Sequence, residues 1–145
     1  MIVELKEVDI KTKSHFQIID ITDTVKKFAV ESGITEGMIS ITSKHTTASI
    51  RINENEPLLL EDIEHYVNKL APRDGHKHDI IELRKDCPAD EPKNGHSHLK
   101  ALLMGASETL PVKNGQVSLG QWQKILFIEL DGPRDRTYTM VVMGK

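Results

Sequence analysis

The chain has 145 residues, 38% of them hydrophobic and 28% charged, with a formal net charge of −3; that is enough apolar material for one core, and the short, mixed charge runs exclude a nucleic-acid footprint. Cys87 is the only cysteine, so an internal disulfide and a thiolate zinc finger are excluded. "MIVELKEVDI" lacks the basic start and apolar stretch of a signal peptide, and no apolar run reaches the roughly 20 residues that cross a bilayer. The expectation is one domain over residues 1–145, soluble and cytoplasmic, with no membrane or nucleic-acid partner.

Ile2, Val3, Leu5 and Val8 alternate loosely enough for an opening strand, with "HFQIID" as its hairpin partner. A helix follows in "DITDTVKKFAVESG": Ile21, Val25, Phe28 and Ala29 recur at helical spacing, Asp20 or Thr22 caps the start and Gly33 closes the end. Met38, Ile39 and Ile41 begin a strand, and Ala48, Ile50 and Ile52 continue it in shifted phase, which implies a bulge or bend near His45. Asn55 caps a second helix with Pro57 in its first turn and Leu59, Ile63, Tyr66, Val67 and Leu70 as the buried stripe.

Residues 73–95 are polar, carry two prolines and show no periodicity, so they read as a long loop, with "KHDII" as a small edge strand within it. A short third helix has Leu99, Leu102 and Leu103 as its apolar edge and Gly105 as its stop. The rest is β: "ETLPV", a type I′ turn at Asn114-Gly115, "QVSLG", "KILFIEL" and "TYTMVVM". The fold class is α+β, a largely antiparallel sheet with two to three helices on one face.

Seven histidines against one tryptophan and two tyrosines direct attention to imidazole chemistry. His15 and His65 read as surface, and nothing orients His76. His45 closes an apolar strand and opens the hydroxyl run Thr46, Thr47, Ser49. In "GHSHLKALLMG", residues two apart on a helix point about 200° from each other, so His96 and His98 cannot share a ligand. His98 lies four before Leu102 and turns inward with it, leaving His96 at the first turn. His45, His78 and His98 stand on three separate elements, and three imidazoles meeting at one point would leave an open position for water or substrate. Asn53 and Glu54 have no evident structural reason, Trp122 reads as core, and Gln123 as a polar residue facing a ligand. No phosphate loop, dinucleotide glycine motif or serine nucleophile elbow occurs.

"KHTTASIRINENEP", "HLKALLMGAS" and "NGQVSLGQWQKI" resemble, in order and spacing and over nearly the whole chain, the YjbQ family described as secondary thiamine-phosphate synthases. The resemblance implies a homotrimer and a divalent metal site, zinc first among the candidates, held by His45, His78 and His98. It implies an enzyme that couples an aminopyrimidine diphosphate to a thiazole phosphate and expels pyrophosphate. On that reading His45 and Glu54 are catalytic, with Glu54 a general base or an orienting group, and Lys44, Thr46, Thr47, Asn53 and Gln123 contact a small phosphorylated substrate. Lys44, Arg51 and Arg84 are the available cations for the leaving group. Gln121 departs from the family's usual threonine. A metal-dependent hydrolase or lyase on another substrate, and a non-catalytic trimeric metal-binding module, stay open beside this reading.

Overall fold

The first strand, β1 (Ile2–Lys11), finds its partner at the far end of the chain rather than in the neighbouring segment. In this computed structural model, which describes residues 1–145, β1 pairs along its whole length with β8 (Asp135–Gly144), from Ile2↔Gly144 to Lys11↔Asp135. The expected hairpin does not form. The Thr12 amide donates to the Arg134 carbonyl at 3.0 Å and its hydroxyl to Glu129 Oε2 at 2.8 Å, and the chain turns there into another sheet. Its continuation, β2 (Gln17–Asp20), pairs with β7 (Lys124–Glu129).

The phase shift near His45 has a related cause. It marks a change of sheet, with β3 (Glu36–Ser43) lying between β8 and β5 (Ser107–Lys113), and β4 (Ala48–Asn53) lying against β7. Residues Lys44 to Thr47 form the corner between them. Asn114 and Gly115 both adopt positive φ, 51° and 73°, as a type I′ turn requires, and lead into the short β6 (Gln116–Val117). The strand orders are β1-β8-β3-β5-β6 and β2-β7-β4, with every pairing antiparallel.

The main core lies between the two sheets, where Ile39, Ile41, Tyr138, Met140 and Val142 meet Ile50, Ile125 and Phe127. Val25, Phe28 and Ala29 of α1 (Thr22–Glu31) complete it, and Gly33 ends that helix with φ +71°. On the outer face of the smaller sheet, Leu126, Ile128 and Leu130 pack with Ala101 and Met104 of α3 (Gly95–Met104). β7 is therefore covered on both faces, which is why its apolar run is nearly continuous.

α2 (Pro57–Leu70) begins with proline as expected, but its cap is Glu56, whose carboxylate accepts from the amides of Leu58 and Leu59 at 3.1 and 2.8 Å. Asn55 instead donates to Asp20 Oδ2, tying the start of α2 to that of α1. Of the expected stripe only Val67 is buried, and Tyr66 and Leu70 are exposed. The long loop contains two 3-10 turns, Lys77–Asp79 and Ile81–Leu83, where an edge strand was conceivable. α3 reverses expectation most fully. It buries Gly95, His96, Ser97 and Lys100, while Leu102 is 79% and Leu103 62% exposed. No helix is long and apolar enough to cross a membrane.

Candidate functional site

Two of the histidines are brought together by a cap. The Gly95 amide donates to Asp79 Oδ1 at 2.8 Å, so a loop carboxylate satisfies the first turn of α3. A Cβ at Gly95 would stand 2.8 Å from that of His76, so only glycine permits this approach. The junction sets the His78 and His98 rings 4.8 Å apart at 67°. Nε2 of His78 is buried and has no hydrogen-bond partner. Burial first, and then the neighbouring His78, lower the pKa of His98, which favours a neutral imidazole with a free lone pair.

His45 stands at the corner between β3 and β4, where its Nε2 accepts from the Thr137 amide at 2.8 Å. That bond assigns the ring proton to Nδ1. Burial, followed by Arg136, lowers its pKa, with Glu129 acting in the opposite sense. A cleft of about 400 Å³ lined by His78, Gly95, His98 and Leu99 adjoins another of about 400 Å³ lined by His45, Thr46, His98, Leu99 and Leu102. His98 and Leu99 belong to both. No three His, Cys, Asp or Glu side chains stand at ligand spacing. The pair His78 and His98 fits a borderline divalent cation, because two imidazoles adjoin and one buried nitrogen lacks a partner. His45 does not complete a triad, since its Nε2 lone pair is committed to Thr137.

The remaining expected residues lie elsewhere. β4 carries Asn53 and Glu54 away from the corner by roughly 17 Å at about 3.3 Å per residue. There Asn53 Oδ1 accepts from the Glu54 amide, and Gln123 Oε1 accepts from the Gly120 amide to close a turn. Within one chain Glu54 is thus out of reach of His45, and Gln123 has a structural task. Trp122 is not core: it is 66% exposed on that turn, next to Gln121. Thr46 borders the cleft, whereas Thr47 is buried and accepts from Arg136 through its hydroxyl and carbonyl oxygens. Each cation considered for a diphosphate already has a carboxylate: Lys44 with Glu7, Arg51 with Glu108 at 3.0 Å, and Arg84 with Glu91 at 3.6 Å.

Two polar groupings escaped the sequence reading. Glu129 and Arg136 form a buried ion pair beneath the corner, with Arg136 donating to both carboxylate oxygens. The signal was present in "FIELDGPRDR", where a charge interrupts the most apolar strand and arginines follow. The other is on the inward face of α3. His96 is 2% and Lys100 4% exposed, and they lie one turn apart with 3.0 Å between Lys100 Nζ and His96 Nδ1. Burial first, then Lys100 and His15, push the pKa of His96 down to about 4.

The whole chain is similar to proteins already described. A family model, "UPF0047 protein YjbQ-like", matches residues 6–145. A UPF0047 protein of Methanothermobacter thermautotrophicus is 41% identical over 146 residues, covering 100% of this chain and 95% of that one. The UPF0047 protein YugU of Bacillus subtilis is 39% identical, with 97% and 99% covered. Among solved structures, a YbjQ-like protein of unknown function from Sulfolobus solfataricus superposes with a TM-score of 0.89 at 34% identity, covering 99% of this chain and 98% of that one. In sequence over nearly its full length and in fold, this chain belongs to the YjbQ-like UPF0047 family.

Proposed function

We propose that this protein is a metal-dependent enzyme acting on a small phosphorylated molecule, with His78 and His98 holding a divalent cation, zinc first. The observation that carries the reading is the adjoining pair of rings with a buried, unpartnered Nε2 on His78. When bound, the cation would supply Lewis-acid stabilisation to a developing oxyanion. Around it, His45 presents a ring whose proton sits on Nδ1, Thr46 adds a hydroxyl at the cleft edge, and Leu99 and Leu102 give one wall an apolar surface.

The reaction we propose is the one the resemblance implies, coupling of an aminopyrimidine diphosphate with a thiazole phosphate. The carboxylate partners of Lys44, Arg51 and Arg84 favour a second reading, a hydrolase or lyase on a substrate with less charge to neutralise. Both share the histidine pair. The homotrimer belongs to the same proposal. Leu99, Leu102 and Leu103 form an uncovered apolar edge, and Ile2, Val3 and Leu5 are exposed on the edge strand β1, which a second copy would cover.

Elemental analysis of protein purified without a tag or added metal should find bound cation in the wild type and little in His78→Ala or His98→Ala. Undiminished metal in both variants would refute the site. Pyrophosphate release with the two precursors, against a His98→Ala control, separates the coupling reaction from the second reading. Sedimentation that gives a monomer mass at micromolar concentration would remove the trimer.

A further inference from the structure

Opposite the histidine pair, α3 forms the floor of a second cavity of about 380 Å³, bounded by the α2 residues Glu64 and Asn68, by Arg73, and by His15. Its deepest polar groups are His96 and Lys100, both almost fully buried. Lys100 Nζ donates to Asn68 Oδ1 at 2.6 Å and meets His96 Nδ1 at 3.0 Å. An ammonium has three N–H donors, and these two partners are both uncharged.

No carboxylate lies within ion-pair distance of Lys100, nor of Arg73 at the rim. A buried lysine is ordinarily paired. The contrast with Lys44, Arg51 and Arg84, each of which has its carboxylate, is direct. Asn68 spends its carbonyl oxygen on Lys100, which leaves its NH₂ free to donate, and His15 adds its ring to the same wall, with Nδ1 4.0 Å from Asp131 Oδ1 behind it. The lining therefore converges donors on a cavity with one carboxylate, Glu64, at its exposed rim.

We propose that this cavity is a binding site for the oxyanion group of a small molecule, a phosphate or a carboxylate, clamped by Lys100 from below and Arg73 from the rim. Lysine supplies a point charge and arginine a planar fork, a combination suited to an oxyanion. The volume is that of a small-molecule site. The inference does not rest on the metal reading, because residues two apart on a helix face opposite ways and His98 is absent from this lining.

The test is calorimetric titration of wild-type protein with inorganic phosphate and, separately, with malonate, together with nitrogen-detected spectra of the histidine rings. Saturable binding of either anion is expected, and the anion that binds identifies the head group. Arg73→Gln, a rim change that leaves the fold intact, should weaken binding about tenfold or more, and Lys100→Gln should abolish it. His96 and His15 signals should move on titration while those of His78 and His98 stay. His98→Ala should bind normally. Failure of both anions to bind, affinity unchanged in both Arg73→Gln and Lys100→Gln, or binding lost only in His98→Ala would overturn the proposal.

Discussion

Replacing Glu129 with glutamine should be among the most destabilising single changes available in this chain. Glu129 is 0% exposed, and its two oxygens accept from five donors: the Thr12 hydroxyl at 2.8 Å, Arg136 Nε at 2.8 Å and NH2 at 2.5 Å, and the amides of Leu130 and Asp131 at 3.0 and 2.9 Å. In glutamine one oxygen becomes an NH₂ that faces an Arg136 N–H on either side, together with the Thr12 hydroxyl or with the Leu130 and Asp131 amides. The hydroxyl can reverse, but the guanidinium cannot, so a buried positive charge loses its counterion. Breaking a buried pair from one side costs about 3 to 5 kcal/mol. Arg136→Met should cost a similar amount for the mirror reason.

The double variant Glu129→Leu with Arg136→Met removes both charges and should lose less than either single change. Urea unfolding at one fixed protein concentration measures all of these. A loss below about 1 kcal/mol in Glu129→Gln, or a double variant as poor as the sum, would refute the reasoning. The pH dependence has a definite sign. Burial alone would raise the Glu129 carboxyl, but the hydrogen bonds from Arg136, the Asp131 amide and Thr12 outweigh it, so the folded value lies below 4.5. The folded state then binds fewer protons. Its contribution is complete above the ordinary carboxylate range and disappears as pH falls through the folded value. Glu129→Gln should show a flatter stability profile below about pH 4.5 than wild type.

Gly95→Ala gains helix propensity of up to about 1 kcal/mol but puts a Cβ 2.8 Å from that of His76, so a net loss of about 1 to 3 kcal/mol is expected, with faster amide exchange in the first turn of α3. Unchanged exchange there would argue that Asp79 does not hold the turn. Trp122→Ala should change stability toward urea by no more than about 0.5 kcal/mol, because the side chain is 66% exposed. A loss above about 2 kcal/mol would place the ring in a core after all.

Local patterns were legible where the cause is local. The helix start at Pro57, the stops at Gly33 and Gly105, and the turn at Asn114-Gly115 follow from φ preferences carried by a few adjacent residues, and Asp20 marks the start at Thr22 by accepting from that residue's amide and hydroxyl, although Ile21 holds the cap position. Pairing partners were not, because register across 130 residues leaves no mark in either strand. β1 alternates equally well whether it meets "HFQIID" or β8. The shifted phase at His45 was visible, but a bulge and a change of sheet produce the same shift, and only the second places His45 at a corner.

The misreading of α3 has one physical root. Helical phase places the apolar edge toward the core on the assumption that the core of the same chain is what buries it. Here Ala101 and Met104 meet the sheet, Leu102 and Leu103 point outward, and the remaining face closes over α2 and Leu130 with His96, Ser97 and Lys100. Ser97 donates to the Leu130 carbonyl at 2.6 Å, so this polar face is satisfied rather than stranded. An outward leucine edge and an inward lysine are two sides of one fact: the helix divides its residues between this chain's interior, which takes the polar side chains, and an exposed apolar surface. Helical phase alone assigns both faces backwards, and His96 rather than His98 is the more deeply buried of the two histidines. The pairing of His78 with His98 survives that reversal because Asp79, fixed to the Gly95 amide, sets it from the loop and not from the helical stripe.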